Sequence, residues 1–310
     1  MPLDISALLV CPGCRTPLPP LATWGEGGCR CGHCRRGYAL HGGIPRFVET
    51  EAYAGSFGFE WQRHRRTQLD AGPDGESERT FRQKTGFIPG ELRGKLVLDV
   101  GCGMGRFAEV ASRWGAEVVA VDLSLAVEAA RENLADRPNV AVLQADCFAL
   151  PFAPGTFDAI YSIGVLHHTP DCRAAFQTLV PLLKPGGTIA IWVYKHMRRW
   201  AQVASVYRIV TTRLPHRLLH ALCYAAVPLY HLHRIPKLGL VTQTLLPTSI
   251  HPRASWRVLD TFDWYSPRYQ SMHSEEEVRG WFEAAGLLDV RLAEIPVAVR
   301  GRLSPKPDRA

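Results

Sequence analysis

The sequence predicts an α/β protein with a doubly wound, mostly parallel sheet and two smaller units attached to it. First, an apolar run at residues 96–100 leads directly into the turn Gly101-Cys-Gly103-Met-Gly105 and then into a helical stretch. Second, apolar runs alternate with helix-length stretches as far as residue 194, which is typical of a parallel sheet covered on both faces. Third, two C-x-x-C pairs within residues 1–48 indicate a separate small unit.

The composition is that of an ordinary globular protein large enough for two domains. Of 310 residues, 46% are hydrophobic and 21% are charged. The sequence contains no signal peptide and no unbroken apolar run of 18 residues, so we expect a cytoplasmic protein without a transmembrane segment. Nine cysteines, an odd number, suit a reducing compartment and a metal better than disulfides.

Residues 1–48 are predicted to form a zinc ribbon. Sixteen residues separate Cys11-Pro-Gly-Cys14 from Cys31-Gly-His-Cys34, as in the two knuckles of a four-thiolate site. So short a segment cannot build a sufficient core, so structural zinc would supply most of its folding free energy. Cys29 and His33 are interpreted as bystanders, and no catalytic metal is expected.

The glycine-rich turn and the acidic residue that follows it indicate a nucleotide-type ligand. Glycine is required where a turn needs unusual backbone angles and where a ligand approaches bare backbone beside a helix N-terminus. Asp122 ends the second apolar run, seventeen residues after Gly105, and is placed to bind a ribose diol. The third glycine comes one position earlier than in the dinucleotide fingerprint, which disfavours a dehydrogenase.

Ligands of parallel sheets bind beyond the carboxyl ends of the strands, so the residues that end each strand matter most. The third strand, 140–144, is followed by Asp146, Cys147 and Phe148. The fourth, 157–163, contains Ser162 and is followed by Gly164 and by His167-His168. Further strands are predicted at 188–194, 287–293 and 297–303, and Ser274 to Glu277 is a capping box that opens a helix.

This ordered series resembles the class I S-adenosylmethionine-dependent methyltransferases, particularly their small-molecule and quinone branch, over about residues 86–194. The resemblance implies a seven-stranded Rossmann-like methyltransferase sheet with an antiparallel last strand. It also implies that Asp122 binds ribose, that Asp146 accepts from the adenine amino group, and that the Cys147 amide and the Phe148 ring lie close to the base. The cofactor contacts that it implies are Asp99, Gly101, Cys102, Gly103, Gly105, Asp122, Leu123, Asp146, Cys147, Phe148, Ser162 and Gly164.

The N-terminal unit resembles another group of proteins. The ribbon and its tail, Tyr38 to Pro45, resemble the small zinc-ribbon activators that partner tRNA and release-factor methyltransferases, here fused to the same chain. Residues 49–94 are predicted to be a linker or lid, in which Phe57, Phe59 and Trp61 either cover the ligand or anchor the linker to the core.

Residues 195–259 are predicted to form a basic helical cap inserted before the last part of the fold. The stretch has ten Lys or Arg, six His and no Asp or Glu, interleaved with apolar residues at helical spacing. Such a segment can contact an anionic membrane surface, an anionic substrate or RNA, or can be merely a solvated face. Residues 260–303 complete the fold, with residues 262–269 as a polar and aromatic loop at the pocket wall, and 304–310 form a tail.

Methyl transfer needs alignment and a dry site, and a base only where the acceptor must lose a proton. The candidates for that role are His168, His167, Tyr265 and His273. The leading interpretation is methyl transfer to a small or lipid-linked, anionic metabolite. The alternatives are an rRNA or tRNA methyltransferase, a non-catalytic cofactor-binding scaffold that acts through the zinc ribbon, and a dehydrogenase.

Overall fold

A computed structural model describes residues 3–25, 27–69, 75–196 and 200–305. Its strands pair in the order β1-β2-β3-β6-β5-β4-β7-β8-β10-β9. Strands β4 to β8 run parallel to their neighbours among themselves, and β10 is antiparallel to β8 and β9. The strands are β1 (Cys29–Arg30), β2 (Gly37–His41), β3 (Ile44–Arg46), β4 (Leu96–Val100), β5 (Glu117–Asp122), β6 (Val140–Gln144), β7 (Phe157–Ile163), β8 (Leu183–Trp192), β9 (Leu287–Leu292) and β10 (Ala298–Leu303).

The α/β prediction and the antiparallel last strand are confirmed, and seven of the strands, β4 to β10, lie outside the N-terminal unit. Ten strands form the sheet, because β1, β2 and β3 of the N-terminal unit extend it beyond β6. Arg46 of β3 pairs in parallel with Gln144 of β6. The Arg46 guanidinium donates to Gln144 Oε1 at 2.8 Å, and the Phe47 amide donates to the Gln144 carbonyl at 2.8 Å. Backbone pairing therefore joins the predicted ribbon to the edge of the core sheet.

Twelve helices are described, and four of them lie wholly or partly where the sequence predicted other structure. Helix α11 occupies part of the predicted loop 262–269 and runs through the predicted boundary at 259/260. The predicted linker contains three helices. The helices are α1 (Gly55–Arg63), α2 (Glu76–Thr85), α3 (Pro89–Leu92), α4 (Arg106–Arg113), α5 (Ala126–Asn133), α6 (Cys172–Leu179), α7 (Trp200–Thr211), α8 (His216–Cys223), α9 (Ala226–His233), α10 (Leu238–Leu245), α11 (Ala254–Tyr265) and α12 (Glu275–Ala284).

Alternate residues of the central strands fill two cores, one on each face of the sheet. In β4, Leu98 packs in a cluster that includes Leu9 and Trp24 of the N-terminal unit, whereas Val97 packs in the cluster that includes Phe81 of α2. A third, smaller cluster joins α8 and α11 in the cap. The predicted capping box is present, since Ser274 Oγ accepts from the Glu277 amide at 3.1 Å.

Candidate functional site

A cavity of about 500 Å³ lies at the carboxyl ends of β4, β5 and β7, where ligands of such sheets bind. Helix α1 lines it with Glu60 and Trp61, α2 with Lys84, and α11 with Asp260 and Asp263. The volume lies within the usual range for small-molecule sites. The cavity therefore lies between the sheet, the predicted linker and the helical cap.

The glycine turn forms one end of the cavity, and its backbone leaves no room for side chains. Gly101 has a φ of +81°, and a Cβ atom on it would lie 2.3 Å from a methyl group of Val165. Gly103 has a φ of +52° and lies under Trp61, whose indole nitrogen is 3.1 Å from the position of a Cβ. A bound molecule can thus approach the bare backbone at this turn.

Asp122 faces the glycine turn from the end of β5. Its Oδ2 accepts from the Gly103 amide at 2.9 Å, and its Oδ1 accepts from the Ser124 amide at 2.8 Å and from Ser124 Oγ at 2.7 Å. Burial raises the pKa of Asp122 above its ordinary value. Behind it, Asp99 is only 2% exposed and burial raises its pKa to about 8, so Asp99 lies beneath the cavity wall.

The residues after β6 divide between the cavity and its surroundings. Cys147 lines the cavity, whereas Phe148 is 36% exposed and does not. Asp146 Oδ1 accepts from the Phe148 amide at 3.0 Å and from the Tyr53 hydroxyl at 3.3 Å. Asp146 therefore caps the short turn after β6, as a structural aspartate would, while Tyr53 beside it does reach the cavity.

Eight of the sixteen predicted cofactor and catalytic residues line the cavity. The other eight lie behind its wall or elsewhere; Ser162, for example, is fully buried and donates to the Val100 carbonyl at 2.9 Å. The lining residues are Gly101, Cys102, Gly103, Asp122, Leu123, Cys147, Gly164 and His168. The residues outside the lining are Asp99, Gly105, Asp146, Phe148, Ser162, His167, Tyr265 and His273.

His168 is the one of the four predicted catalytic residues that the structure places in the lining. Its Nδ1 lies 3.0 Å from the Tyr269 carbonyl, which can only accept, so the proton is on Nδ1 and Nε2 is an acceptor. Among the described residues Nε2 has no hydrogen-bond partner. Burial lowers the pKa of His168 to about 4, so the ring is neutral at pH 7.

The other three candidates are held by protein contacts away from the cavity. His167 is fully buried, with its ring 3.8 Å from that of Tyr194. The Tyr265 hydroxyl donates to the Pro247 carbonyl at 2.7 Å inside the cap cluster. His273 bonds to Glu277 Oε1 at 2.9 Å and to Ser271 Oγ at 2.8 Å. These three side chains therefore contact other protein groups and do not line the cavity.

The aromatic residues of the predicted lid have different neighbours. Phe57 and Trp61 line the cavity, and the Phe57 ring is 5.1 Å from that of His168. Phe59, two residues from each, points to the cap instead, with its ring 5.6 Å from that of Phe262. Both predicted roles are therefore present in this segment: Phe57 and Trp61 line the cavity, and Phe59 anchors the segment to the cap.

A group of buried and half-buried charged residues at the far end of the cavity was not predicted as a site. It contains Glu60, Lys84, Asp260 and Asp263, all of which line the cavity. Burial raises the pKa of Asp260 and of Asp263 to about 6, and it lowers that of Lys84 to about 7. The spacing of Asp260 and Asp263, i to i+3 on an apolar helix, was a signal in the sequence, but nothing there connected it with Glu60 or Lys84.

Three contacts hold this group in place. The Tyr194 hydroxyl donates to Asp263 Oδ2 at 2.8 Å, and Ser249 Oγ donates to Asp260 Oδ2 at 3.0 Å. The Lys84 ammonium lies 3.4 Å above the centre of the Trp192 ring. Glu60 is 1% exposed, its Oε2 has no partner among the described residues, and burial raises its pKa well above the ordinary value. These groups form a polar end opposite the glycine turn.

Comparison with known proteins agrees with this geometry. Residues 98–191 match the family described as methyltransferase domain. The chain is 37% identical over 123 residues to a demethylmenaquinone methyltransferase of Thermobifida fusca, covering 39% of this chain and 52% of that protein. It is 36% identical over 117 residues to a ubiquinone biosynthesis O-methyltransferase of Paracidovorax citrulli, covering 36% and 48%. Residues 98–191 are thus similar to a methyltransferase domain.

The similarity is confined to part of the chain, which spans about half the length of the curated relatives that it matches. A solved structure from Rhodobacter sphaeroides, provisionally named a Zn-dependent alcohol dehydrogenase, aligns with a TM-score of 0.50 at 16% identity, over 82% of this chain and 99% of that one. At that identity the likeness concerns the fold alone. The methyltransferase domain carries the glycine turn, Asp122 and His168, whereas most of the far end of the cavity lies outside it.

The described part of the basic segment 195–259 places no Lys or Arg in the cavity lining. Among its described residues, His251, Trp256 and Leu259 line the cavity, and no Lys or Arg does. Arg198 and Arg199 lie outside the described residues. Helix α11 instead places carboxyl groups at the cavity, and Arg208 of α7 donates to the carbonyls of Trp264 and Pro267. The described cations of this segment therefore do not contact a substrate in the cavity.

The four predicted metal ligands are brought together in the N-terminal unit. The ligand atoms of Cys11, Cys14, Cys31 and Cys34 all lie within 4.8 Å of one another. The Cys11–Cys34 and Cys14–Cys31 sulfur pairs are each 3.5 Å apart. Four thiolates at this separation have the donor chemistry and the spacing of a closed tetrahedral zinc site.

Proposed function

We propose that this protein transfers the methyl group of S-adenosylmethionine to a small molecule held in the cavity. One observation carries the proposal. A single cavity has the glycine turn and Asp122 at one end, and at its wall a buried neutral imidazole whose Nε2 is unpaired among the described residues. The first feature suits a nucleoside and the second suits a group that loses a proton.

The residues at the glycine end fit the cofactor. Gly101 and Gly103 leave their backbone open, and Asp122 is a half-buried carboxylate at the end of β5, placed to accept from a ribose diol. Cys147 and Leu123 also line the cavity, on the side where the adenine base would lie. When bound, the cofactor supplies an electrophilic methyl group on a sulfonium. The protein aligns that group with the acceptor and keeps water out of the site.

His168 is the proposed base. The Tyr269 carbonyl fixes the tautomer with the proton on Nδ1, so Nε2 can accept a proton from the acceptor. Because the pKa of His168 is about 4, the ring is neutral at pH 7 and Nε2 carries no proton. Phe57 packs beside the ring and restricts its orientation.

The far end of the cavity favours a neutral aromatic acceptor over the anionic one expected from the sequence. Three carboxyl groups, those of Glu60, Asp260 and Asp263, outnumber the two cations of the cavity lining, Lys84 and Arg106. The rings of Trp192, Trp256 and Trp264 also line the cavity. Flat apolar walls with carboxyl groups suit a ring that bears hydroxyl groups and repel a carboxylate or phosphate. The reduced, hydroquinone forms of the quinones in the names of two relatives belong to this chemical class.

We further propose that Cys11, Cys14, Cys31 and Cys34 hold a structural Zn²⁺. The unit packs against the methyltransferase domain: the Arg15 guanidinium donates to the carbonyls of Leu150 and Phe152 at 3.1 and 3.3 Å. Zinc would therefore stabilise one edge of the core, far from the reacting groups.

The proposal is tested in two steps on the full chain. Isothermal calorimetry first measures binding of S-adenosylmethionine, S-adenosylhomocysteine and NADH, and we expect only the first two to bind. Release of S-adenosylhomocysteine is then followed with a catechol, a hydroquinone, an aromatic carboxylate and a ribosomal RNA fragment. We expect release with the neutral phenols. Binding of NADH alone, cofactor binding without turnover on any acceptor, or turnover on RNA alone would contradict the proposal.

A further inference from the structure

The cap presents an apolar outer surface to solvent. Among the described residues, fifteen of the nineteen large apolar side chains with high exposure lie between residues 206 and 250. In α7 such residues recur at helical spacing: Val206, Ile209 and Val210 are 62%, 60% and 61% exposed. Single exposed apolar residues are ordinary, but this concentration in one segment is not.

Two neighbouring helices carry a compact part of this surface. We define the cap face as Val206, Ile209 and Val210 of α7 with Leu238, Val241 and Leu245 of α10. In α10 the three residues recur at i, i+3 and i+7, so they share one side of the helix. The Tyr207 hydroxyl donates to the Leu245 carbonyl at 2.7 Å and ties the two helices together.

The inner side of α7 is anchored by polar contacts, so the outward direction of the cap face is determined. Arg208 donates to the Trp264 carbonyl at 3.0 Å and to the Pro267 carbonyl at 2.6 Å. Thr211 Oγ1 donates to the Tyr265 carbonyl at 2.9 Å. Because these bonds hold one side of α7 on α11, the apolar residues on its other side stay exposed.

The charges around the cap face all have one sign. Residues 195–259 contain no Asp or Glu. Arg213 follows α7 and Lys237 precedes α10, and both are exposed, as are Arg217 and Arg234. Within the described residues, none of these four side chains lies within 4.0 Å of a carboxylate. The cap face is thus an apolar patch flanked by cations that have no acidic partner there.

We propose that the cap face docks on the surface of an anionic lipid bilayer. A bilayer of this kind combines an apolar interior with negative headgroups, and the cap face has the complement of both. None of the described helices is long and apolar enough to cross a membrane, so α7 and α10 would lie in the plane of the interface. A second copy of the chain would set cations against cations, and RNA would leave the aliphatic side chains exposed.

Docking in this way would bring the cavity close to the lipid. Helices α7, α8 and α9 all contact α11, and α11 supplies Asp260 and Asp263 to the cavity wall. An acceptor with an apolar part could then reach the cavity from the bilayer. This consequence rests on the proposed function, but docking itself does not.

Co-sedimentation with vesicles tests the proposal on the full chain. We expect the protein to sediment with vesicles of phosphatidylcholine and phosphatidylglycerol at 3:1, to bind pure phosphatidylcholine more weakly, and to be released partly by salt. The double variant Ile209→Asp/Val241→Asp should lose at least about tenfold in affinity, because it places carboxylates in the apolar part of the interface. The matched control is Leu288→Asp, on β9, at a side chain that is 46% exposed; it should bind as the parent does.

The charges are tested separately. Arg213→Glu and Lys237→Glu should each weaken binding to the anionic vesicles by at least about fivefold without changing binding to pure phosphatidylcholine. Arg279→Glu, on α12, is the control and should leave both unchanged. Affinity for S-adenosylmethionine should be the same in every variant, which shows that each is folded.

Three outcomes would overturn docking on lipid. The first is no sedimentation with either vesicle by protein that still binds the cofactor. The second is binding to polyuridylic acid that the aspartate variants leave intact while vesicles are not bound. The third is a dimer in light scattering that Ile209→Asp/Val241→Asp converts to a monomer, since a second copy would then be the occupant.

Discussion

The two ends of the cavity are built in different ways. The glycine end comes from one short stretch, Gly101 to Asp122, and its polar groups are already paired: Asp122 accepts three hydrogen bonds of 2.9, 2.8 and 2.7 Å. The far end gathers Glu60, Asp263 and other residues from distant parts of the chain, and Glu60 Oε2 has no partner among the described residues. An end built from preorganised backbone suits a ligand that does not vary, such as a cofactor. An end built from side chains can change its specificity for the acceptor when those side chains are substituted.

The largest effect is expected at the glycine end. Gly101→Ala should weaken binding of S-adenosylmethionine by about 100-fold, because the new methyl group would meet Val165 at 2.3 Å and the backbone has a left-handed φ of +81°. Gly90→Ala, where nothing lies within 4 Å and φ is ordinary, is the control. Calorimetry measures both. Equal affinities would mean that the cofactor does not use this turn.

A change between the two ends should separate turnover from binding. We expect His168→Gln to lower methyl transfer by about 100-fold, since the base is lost, while affinity for S-adenosylmethionine changes less than about twofold. His273→Gln, away from the cavity, should keep its turnover. The readouts are release of S-adenosylhomocysteine and calorimetry. If His168→Gln turned over like the parent, alignment alone would explain the rate.

Substitution of an acidic residue should change the cofactor affinity at the glycine end and leave it unchanged at the far end. Asp122→Ala should weaken binding of S-adenosylmethionine by more than about tenfold, through loss of a carboxylate acceptor in the cavity wall. Glu60→Gln should leave that affinity unchanged and alter KM for the acceptor. Calorimetry and steady-state kinetics distinguish the two. An unchanged affinity in Asp122→Ala would remove Asp122 from the site.

The smallest effect concerns the dependence of stability on pH. The pKa of His168 is about 4 in the folded protein, against 6.5 for an ordinary histidine, so the unfolded state binds the proton more readily. Its contribution to stability is present above pH 6.5 and is lost as the pH falls toward 4. Between pH 7 and 5.5 the parent should lose about 1.4 kcal/mol more of its free energy of unfolding than His168→Gln. Urea denaturation at both pH values measures this difference, and parallel losses would show that His168 is not the titrating group.

Local patterns in the sequence were sufficient for the core strands, the glycine turn, the Ser274 capping box and the four-cysteine cluster. Each depends on residues close in the chain: alternating or continuous apolar runs, positive φ at glycine, and knuckle spacing. Asp122 beside Gly103 also followed from sequence, because strand order in a doubly wound sheet brings those two strand ends together.

Long-range packing decided the rest. That β3 pairs with β6, that Tyr265 is buried in the cap while Asp263 faces the cavity, and that Arg208 turns inward all depend on contacts between distant segments. The basic composition of 195–259 was evident in the sequence, but only the tertiary structure showed the charge around an outer apolar face and carboxyl groups inside. A helix has several faces, and composition cannot tell which of them the rest of the chain will cover.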